Sequence, residues 1–97
     1  MTKLLTKTLL KKFKKYPLYS QDGKRLNAEV VVKFLDPFSS ATWLITEGES
    51  QGNDFIMYGY CYIHEWEWGY VSLNELESIG RIERDLYSTG LQVKDLV

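Results

Sequence analysis

The stretch CYIHEWEWGY, residues 61–70, brings together residue types that often do chemistry. It holds the only cysteine and the only histidine of the chain, Cys61 and His64, with Glu65 and Glu67 close by. Thiolate, imidazole and carboxylate groups are the ligands that zinc prefers, and a cysteine beside a histidine can form a nucleophile with its base. The stretch therefore raises two hypotheses, a metal site and a cysteine-based catalytic site.

The spacing of these residues argues against both hypotheses. On a β-strand, Cys61 and His64 are an odd number of positions apart and point to opposite faces. The sequence has no second Cys/His cluster to complete a zinc site. Cys61 is expected to be an inert core thiol, and His64 a surface or turn residue. Since the glycine-rich phosphate motifs and the G-x-S-x-G turn are also missing, we predict a non-enzymatic protein with no catalytic residue, no metal and no cofactor.

Three tyrosines, Tyr58, Tyr60 and Tyr62, share one face of the strand predicted over residues 55–63. Such a face could stack nucleic-acid bases, but the carboxylates that flank the strand would repel phosphate. We therefore expect a sheet face covered by a helix, with the tyrosine hydroxyls at the rim. If the face is instead exposed, tyrosine and tryptophan favour a protein partner.

Length and composition predict one domain, residues 1–97. The chain is 44% hydrophobic and 26% charged, which is typical of a globular protein. It has neither the long apolar run of a membrane span nor the apolar core of a secretory signal. A single cysteine fits a reducing compartment, so we expect a cytoplasmic protein that does not bind membranes.

Charge is distributed unevenly along the chain. Residues 1–27 carry a net charge of +7, whereas residues 28–97 carry −8. This asymmetry indicates either that the two parts pair with each other or that one of them faces a charged partner. We favour internal pairing.

The elements that must position these residues form an α+β fold. Residues 1–16 predict a basic amphipathic helix, which Thr2 or Thr6 could cap and Pro17 would end. Residues 28–71 predict an antiparallel sheet of three to five strands, because its connections are short.

Within this sheet, strands are expected over residues 28–36, 41–46, 55–63 and 68–71. The polar stretch 47–54 between the second and third strands is expected to be an exposed loop.

The C-terminal part predicts a short helix and an extended end. Residues 72–79 match a helix that Ser72 caps and Gly80 ends. Residues 81–86 are either a final strand or an extended segment, and residues 88–97 are expected to be a tail.

Several stretches resemble a known family in the same order. They are LLTKTLLKKF, PLYSQDGK, VVKFLDP, TWLITE, GYVSLNELESI and IERDLY. The chain resembles, from Leu4 to about Tyr87, the domain-of-unknown-function 2958 family of roughly hundred-residue bacterial proteins often encoded on plasmids, phages and other mobile elements. The resemblance implies a single domain and a role in plasmid or phage biology, and it implies no catalytic residue or cofactor.

We therefore predict a protein that binds another protein through an acidic, aromatic surface. The partner could be a host nucleic-acid-binding or nucleic-acid-processing protein, as for an inhibitor of the anti-restriction or anti-CRISPR type. The expected contact residues are Glu47, Glu49, Asp54, Tyr58, Tyr60, Tyr62, Glu65, Trp66 and Glu67.

The alternative is a nucleic-acid-binding accessory protein that uses the basic N-terminal segment. Its candidate residues are Lys7, Lys11, Lys14, Lys15, Lys24 and Arg25. The sequence leaves open whether the protein is a monomer or a homodimer.

Overall fold

An antiparallel sheet of five strands, packed by two helices, forms the framework of the protein. The computed structural model describes residues 4–85 and 87–97. The strands are β1 (Val32–Leu35), β2 (Thr42–Gln51), β3 (Asp54–Tyr62), β4 (Trp66–Ser72) and β5 (Glu83–Asp85), and the helices are α1 (Lys7–Phe13) and α2 (Leu73–Ile79). The strands lie in the order β4-β3-β2-β1-β5. This arrangement confirms the predicted α+β class with an N-terminal helix and a second helix after the last long hairpin.

Helix α1 is shorter than the helix predicted over residues 1–16. It starts after Thr6, whose hydroxyl accepts the backbone N–H of Leu9 at 3.2 Å, and it ends at Phe13. Thr2, the alternative cap, lies outside the described residues. Leu9 and Phe13 are buried, and the ring of Phe13 meets Phe55 of β3 edge-to-face at 5.0 Å. The helix therefore packs on one face of the sheet, which we call the helix side.

Helix α2 begins and ends as predicted. The hydroxyl of Ser72 accepts the backbone N–H of Glu75, and Gly80 closes the helix with a φ of 81°. Only glycine adopts that left-handed conformation without a steric cost. Leu73 and Leu76 are buried against the helix side, so local sequence signals fix both ends of this helix.

The prediction of an exposed loop over residues 47–54 is wrong. Strand β2 continues to Gln51 and pairs with Asp54 of β3, so that only Gly52 and Asn53 form the turn. The register of the two strands shifts between Ile45 and Glu47. This bulge inserts one residue and turns the following side chains to the other face of the sheet.

The predicted strand over residues 28–36 is also shorter, since β1 comprises Val32–Leu35. It pairs on one side with β2 and on the other with β5, so it lies in the interior of the sheet. The final strand, β5, confirms one of the two readings of residues 81–86, of which residue 86 lies outside the described part.

The C-terminal residues expected to form a tail pack on the sheet instead. The backbone N–H of Val30 donates to the carbonyl of Leu91 at 2.7 Å, and that of Val93 donates to Ala28 at 3.0 Å. The side chain of Val93 is 0% exposed. Together with Ala28, Val30 and Leu44 it forms a second apolar cluster on the face opposite the helices.

Candidate functional site

Two runs of aromatic residues face each other across the hairpin of β3 and β4. Alternation along each strand places their six side chains on the face opposite the helices. The facing pairs are Tyr58–Tyr70, Tyr60–Trp68 and Tyr62–Trp66. Neighbouring ring centroids are 4.8 to 5.8 Å apart, a distance at which aromatic pairs attract each other. We call these six residues the aromatic face.

The aromatic face is only partly covered. Tyr60, Trp66 and Trp68 pack with one side against the second apolar cluster, and they remain half-buried. Tyr70 is 59% exposed. Strand β4 is an outer strand of the sheet, so the rings lie beside a sheet edge. Contrary to the expectation, neither α-helix covers the tyrosines, because α1 and α2 both pack on the helix side, and among the described residues only a short 3-10 helix, Val93–Asp95, packs beside Tyr60.

A loop over residues 19–25, the Tyr19–Arg25 loop, borders the aromatic face. The carboxylate of Glu47 accepts the backbone N–H of Tyr19 at 2.8 Å and that of Gln21 at 2.9 Å. The side-chain amide of Gln21 donates to the carbonyls of Glu29 and Thr46, and its oxygen accepts the N–H of Glu29. The carboxylate of Glu47 and the side chain of Gln21 thus connect this loop to β2 and to Glu29.

The same loop holds two residues in unfavourable backbone conformations. Tyr19 has a φ of 75° and Arg25 a φ of 51°. Non-glycine residues adopt positive φ at a steric cost, and they do so where the surrounding structure imposes it. The position of Tyr19 lets its hydroxyl oxygen accept a hydrogen bond from Tyr70 at 3.3 Å. This hydrogen bond raises the pKa of Tyr70 to about 12.

A cavity of about 180 Å³ lies between the loop and the aromatic face. Glu47 and Thr46 of β2 line it from one strand, and Tyr58 and Trp68 from the neighbouring strands. Loop residues, including Arg25, line the remaining side. The bulge in β2 is what points Glu47 into this cavity, since Glu47 pairs with Tyr58 after the register shift.

Three of the acidic residues expected at the partner surface have structural roles. Glu47 is 4% exposed, so it does not lie on the outer surface but lines the cavity beneath it. A carboxylate oxygen of Glu49 accepts the backbone N–H of Leu18 at 3.1 Å. The carboxylate of Asp54 accepts the hydroxyl of Ser72 and the N–H of Asn74, and these hydrogen bonds lower its pKa.

The other two acids remain at the surface. Glu65 lies in the exposed turn between β3 and β4, next to Trp66. Glu67 is also exposed, but alternation along β4 points it to the helix side rather than to the aromatic face. The structure therefore brings together Tyr58, Tyr60, Tyr62 and Trp66 and leaves the acids around them.

Cys61 is partly buried, rather than fully buried as expected. It packs against the helix-side core, and burial raises its pKa to about 12. His64 is exposed in the turn after β3, where the chain bends, so both residues line one shallow groove of about 250 Å³. The opposite-face argument applies within a strand, whereas the chain bends after Tyr62, and His64 is an exposed turn residue as expected. A thiol with so high a pKa is not a nucleophile at neutral pH.

The basic residues of the alternative prediction fall into two groups. Lys7, Lys11, Lys14 and Lys15 are exposed around α1, on the helix side. The exposed Lys24 and Arg25 belong to the Tyr19–Arg25 loop, and Arg25 lines the cavity on the opposite face. No single surface combines the six residues.

Internal pairing of the two charged parts is limited. Within the described residues, Lys12 and Glu29 form the only ion pair between residues 4–27 and the remainder, at 3.6 Å. Glu47 and Glu49 bind backbone N–H groups of the N-terminal part instead of its lysines. In the part of the chain that the structure describes, the expected pairing between the two charged parts is therefore limited to one ion pair.

Trp68, Tyr70 and Tyr19 belong to the site but were not among the predicted contact residues. A signal for the first two exists in the sequence, since aromatic residues at positions 66, 68 and 70 repeat with the same period as those at 58, 60 and 62. No local signal marks Tyr19, which reaches the site through the long-range hydrogen bonds of Glu47.

The described residues, 4–85 and 87–97, contain no group of three His, Cys, Asp or Glu side chains that could hold a metal ion. No helix in this part of the chain is long and apolar enough to cross a membrane.

Comparison with known proteins gives one family. Residues 4–93 match the family described as "Protein of unknown function (DUF2958)". No curated protein and no solved structure shows a significant match to the chain. The match covers the loop, the cavity and the aromatic face.

Proposed function

Because the chain belongs to the DUF2958 family, whose description assigns no activity, we propose from its geometry that the protein binds another protein through the aromatic face. The observation that carries this proposal is the half-exposed set of six contacting rings beside the outer strand β4. Tyrosine and tryptophan dominate the energetic centres of protein interfaces. Each loses little conformational entropy on binding, because it has only two side-chain torsions.

Packing on one side makes the aromatic face a rigid docking surface. The second apolar cluster supports Tyr60, Trp66 and Trp68 from below, and the rings restrain each other through their contacts. A preorganised surface loses less entropy when it binds than a flexible one. Glu65, exposed beside Trp66, adds negative charge at the rim, where it would accelerate the encounter with a basic partner.

Binding accounts for these features better than catalysis does. The thiol of Cys61 is protonated at neutral pH, since burial raises its pKa to about 12. The aromatic face consists of tyrosine and tryptophan side chains and contains no carboxylate, imidazole or amine to act as a general acid or base. We therefore assign the face to recognition.

A role on a mobile element follows from the family resemblance rather than from the geometry. Under this proposal the protein acts in the cytoplasm of a bacterial host. Its single cysteine fits such a reducing compartment, because it cannot form a disulfide within the chain. Its partner is a basic host protein that binds or processes nucleic acid. The biological outcome is inhibition, as in anti-restriction or anti-CRISPR proteins.

The experiment is affinity capture from host lysate, followed by calorimetry with the purified partner. Trp66→Ala should weaken binding by about 30-fold, corresponding to about 2 kcal/mol for a central aromatic residue. Tyr87→Ala is the matched control, because Tyr87 is 89% exposed and lies outside the aromatic face. Equal affinities of Trp66→Ala and wild type, with unchanged melting temperatures, would overturn the proposal.

Direct nucleic-acid binding is the second candidate, and one observation favours it. Lys7, Lys11, Lys14 and Lys15 are exposed, and none of them forms an ion pair within the described residues. Free lysines on one short helix can contact phosphate groups. Gel shifts on DNA and RNA at several salt concentrations test this: binding that strengthens at low salt and disappears in Lys11→Glu/Lys14→Glu/Lys15→Glu would favour it.

A further inference from the structure

The carboxylate of Glu47 is a buried negative charge without a cationic partner in the described part of the chain. It is 4% exposed, and two backbone N–H groups, from Tyr19 and Gln21, are its hydrogen-bond donors. A carboxylate has about four acceptor positions, so capacity remains on both oxygens. Burying a charge is costly unless it is paired and hydrogen-bonded. Glu47 therefore attracts a cation into the cavity that it lines.

Flat aromatic surfaces line the same cavity. Tyr58 and Trp68 are stacked with ring planes 11° apart and centroids 5.8 Å apart, and both belong to its wall. The negative face of an aromatic ring attracts a cation, most strongly for tryptophan. The exposed carboxylate of Asp22 lies at the opening. Two carboxylates and two aromatic side chains thus line one small space.

The volume of the cavity and the chemistry of its lining restrict which groups can enter it. Pockets for whole small molecules usually measure about 300–1,000 Å³, whereas this cavity measures about 180 Å³. It fits a single side chain. Among cationic side chains, arginine is planar, stacks on rings and is more weakly hydrated than lysine, so it loses less solvation when buried.

We propose that the cavity between the Tyr19–Arg25 loop and the aromatic face receives an arginine side chain of the partner protein. This inference rests on the proposed protein-binding function and adds the chemistry of the contact. The guanidinium group lies between the loop and the side chains of Tyr58 and Trp68 and donates to Glu47. The carboxylates of the cavity favour a basic partner, as does the exposed carboxylate of Glu65 at the rim of the aromatic face.

Arg25 is the one cationic residue among those that line the cavity. It forms no ion pair with Asp22 or Glu47. For an arginine guest it is a repulsive neighbour, whereas for an anionic guest it would be the main attraction. Substitution of Arg25 therefore separates the two cases.

The test is a titration of the full chain with three capped tripeptides, Gly-Arg-Gly, Gly-citrulline-Gly and Gly-Glu-Gly. Citrulline matches arginine in shape but lacks its charge. NMR shifts of the Trp68 indole N–H and the Gln21 side-chain amide report on the cavity, and the Trp43 indole, buried on the helix side, is the internal control. We expect the arginine peptide to bind at least about tenfold more tightly than the citrulline peptide, since loss of charge removes both the ionic and the cation–π contribution.

Variants assign the contact to the cavity. Trp68→Leu and Asp22→Asn should each weaken binding of the arginine peptide severalfold, and Arg25→Gln should leave it unchanged or strengthen it. Asp22 and Arg25 are exposed, so their substitutions should preserve the fold. The result for Trp68→Leu is interpreted only if the melting temperature of this variant matches that of the wild type.

Three results would overturn the inference: no shift with the arginine peptide up to its solubility limit, equal binding of the citrulline peptide, or preferred binding of the glutamate peptide that Arg25→Gln abolishes. The proposed function is tested separately, because Trp66→Ala alters partner affinity without touching the cavity. A partner that binds through Trp66 but is indifferent to Asp22→Asn would refute the arginine contact alone.

Discussion

The two faces of the sheet are closed in different ways. On the helix side, Phe13 from α1 and Leu76 from α2 cover Ile45 and Met57 completely. On the opposite face, irregular segments from both ends of the chain cover only the centre and leave the rings of β3 and β4 half-exposed. Both faces are apolar, yet only one is sealed. The half-exposed face opposite the helices is therefore the one that we propose for partner binding. The buried core of the helix side supplies the stability, so the aromatic rings need not be fully buried.

The largest expected effect is a loss of stability when a side chain in the core of the helix side is truncated. Met57→Ala removes a fully buried side chain, and such truncations cost about 2–5 kcal/mol of unfolding free energy. Urea denaturation measures the loss. Met57→Leu, which conserves volume, is the control and should cost less than about 1.5 kcal/mol. If the alanine variant is as stable as the leucine variant, the helix side does not carry the core.

The C-terminal segment tests the partial cover of the other face. Val93→Ala should cost about 2 kcal/mol, because two buried methyl groups are removed from the second apolar cluster. Urea denaturation again gives the value. Val97→Ala is the matched control, since Val97 is exposed, and it should change stability by less than about 0.5 kcal/mol. Equal effects of the two substitutions would mean that residues 88–97 do not support the aromatic face.

The contrast between the faces also explains what the sequence could reveal. The ends of α2 were predictable because Ser72 and Gly80 act on their immediate neighbours. Alternation also identified the shared face of Tyr58, Tyr60 and Tyr62. The exposed loop was predicted at residues 47–54 because acids and glycines there resemble turn chemistry, whereas Glu47 accepts N–H groups of a loop 26 residues and more earlier in the chain.

The pairing of the second aromatic run with the first depended on strand register. Trp68 and Tyr70 join the site because β4 starts at Trp66, two residues before the predicted strand. The cavity could not be predicted at all, since it requires the bulge at Thr46 and the long-range contacts of Gln21. Local patterns thus predicted the elements, and non-local hydrogen bonds built the site.

Acid should lower the stability of the protein, because it protonates one partner of an ion pair. Asp36, which follows β1, accepts a bifurcated hydrogen bond from Nε of Arg81 at 2.9 and 3.0 Å, and Nη2 of Arg81 lies 2.8 Å from its Oδ2. Arg81 and the backbone N–H of Phe38 lower the pKa of Asp36 from 3.8 to about 2. A depressed folded-state pKa gives stability that is complete above the unfolded value and is lost as pH falls through the folded value. The melting temperature of the wild type should therefore drop by a few degrees between about pH 4 and pH 2.

Asp36→Asn should remove this part of the acid dependence and lower the melting temperature at neutral pH. Arg81→Met should reproduce both changes, and the double variant should add little, because the two residues act as one pair. If Asp36→Asn leaves the slope between pH 4 and pH 2 unaltered, other carboxylates, such as Asp54 with its lowered pKa, account for the acid response.

The smallest expected effect concerns the unsealed face. Tyr70 donates its hydroxyl proton to Tyr19, which raises the pKa of Tyr70 to about 12. The raised pKa stabilises the folded state below the ordinary value near 10, and this contribution is lost as pH rises through about 12. Tyr19→Phe removes the acceptor, so the pKa of Tyr70 should fall toward 10, as read from its ring-carbon NMR shift. Tyr87→Phe, outside the face, should leave it unchanged. An unaltered Tyr70 titration in Tyr19→Phe would mean that the loop does not close onto the aromatic face in solution, and the cavity beneath it would then be open to any guest rather than shaped for one side chain.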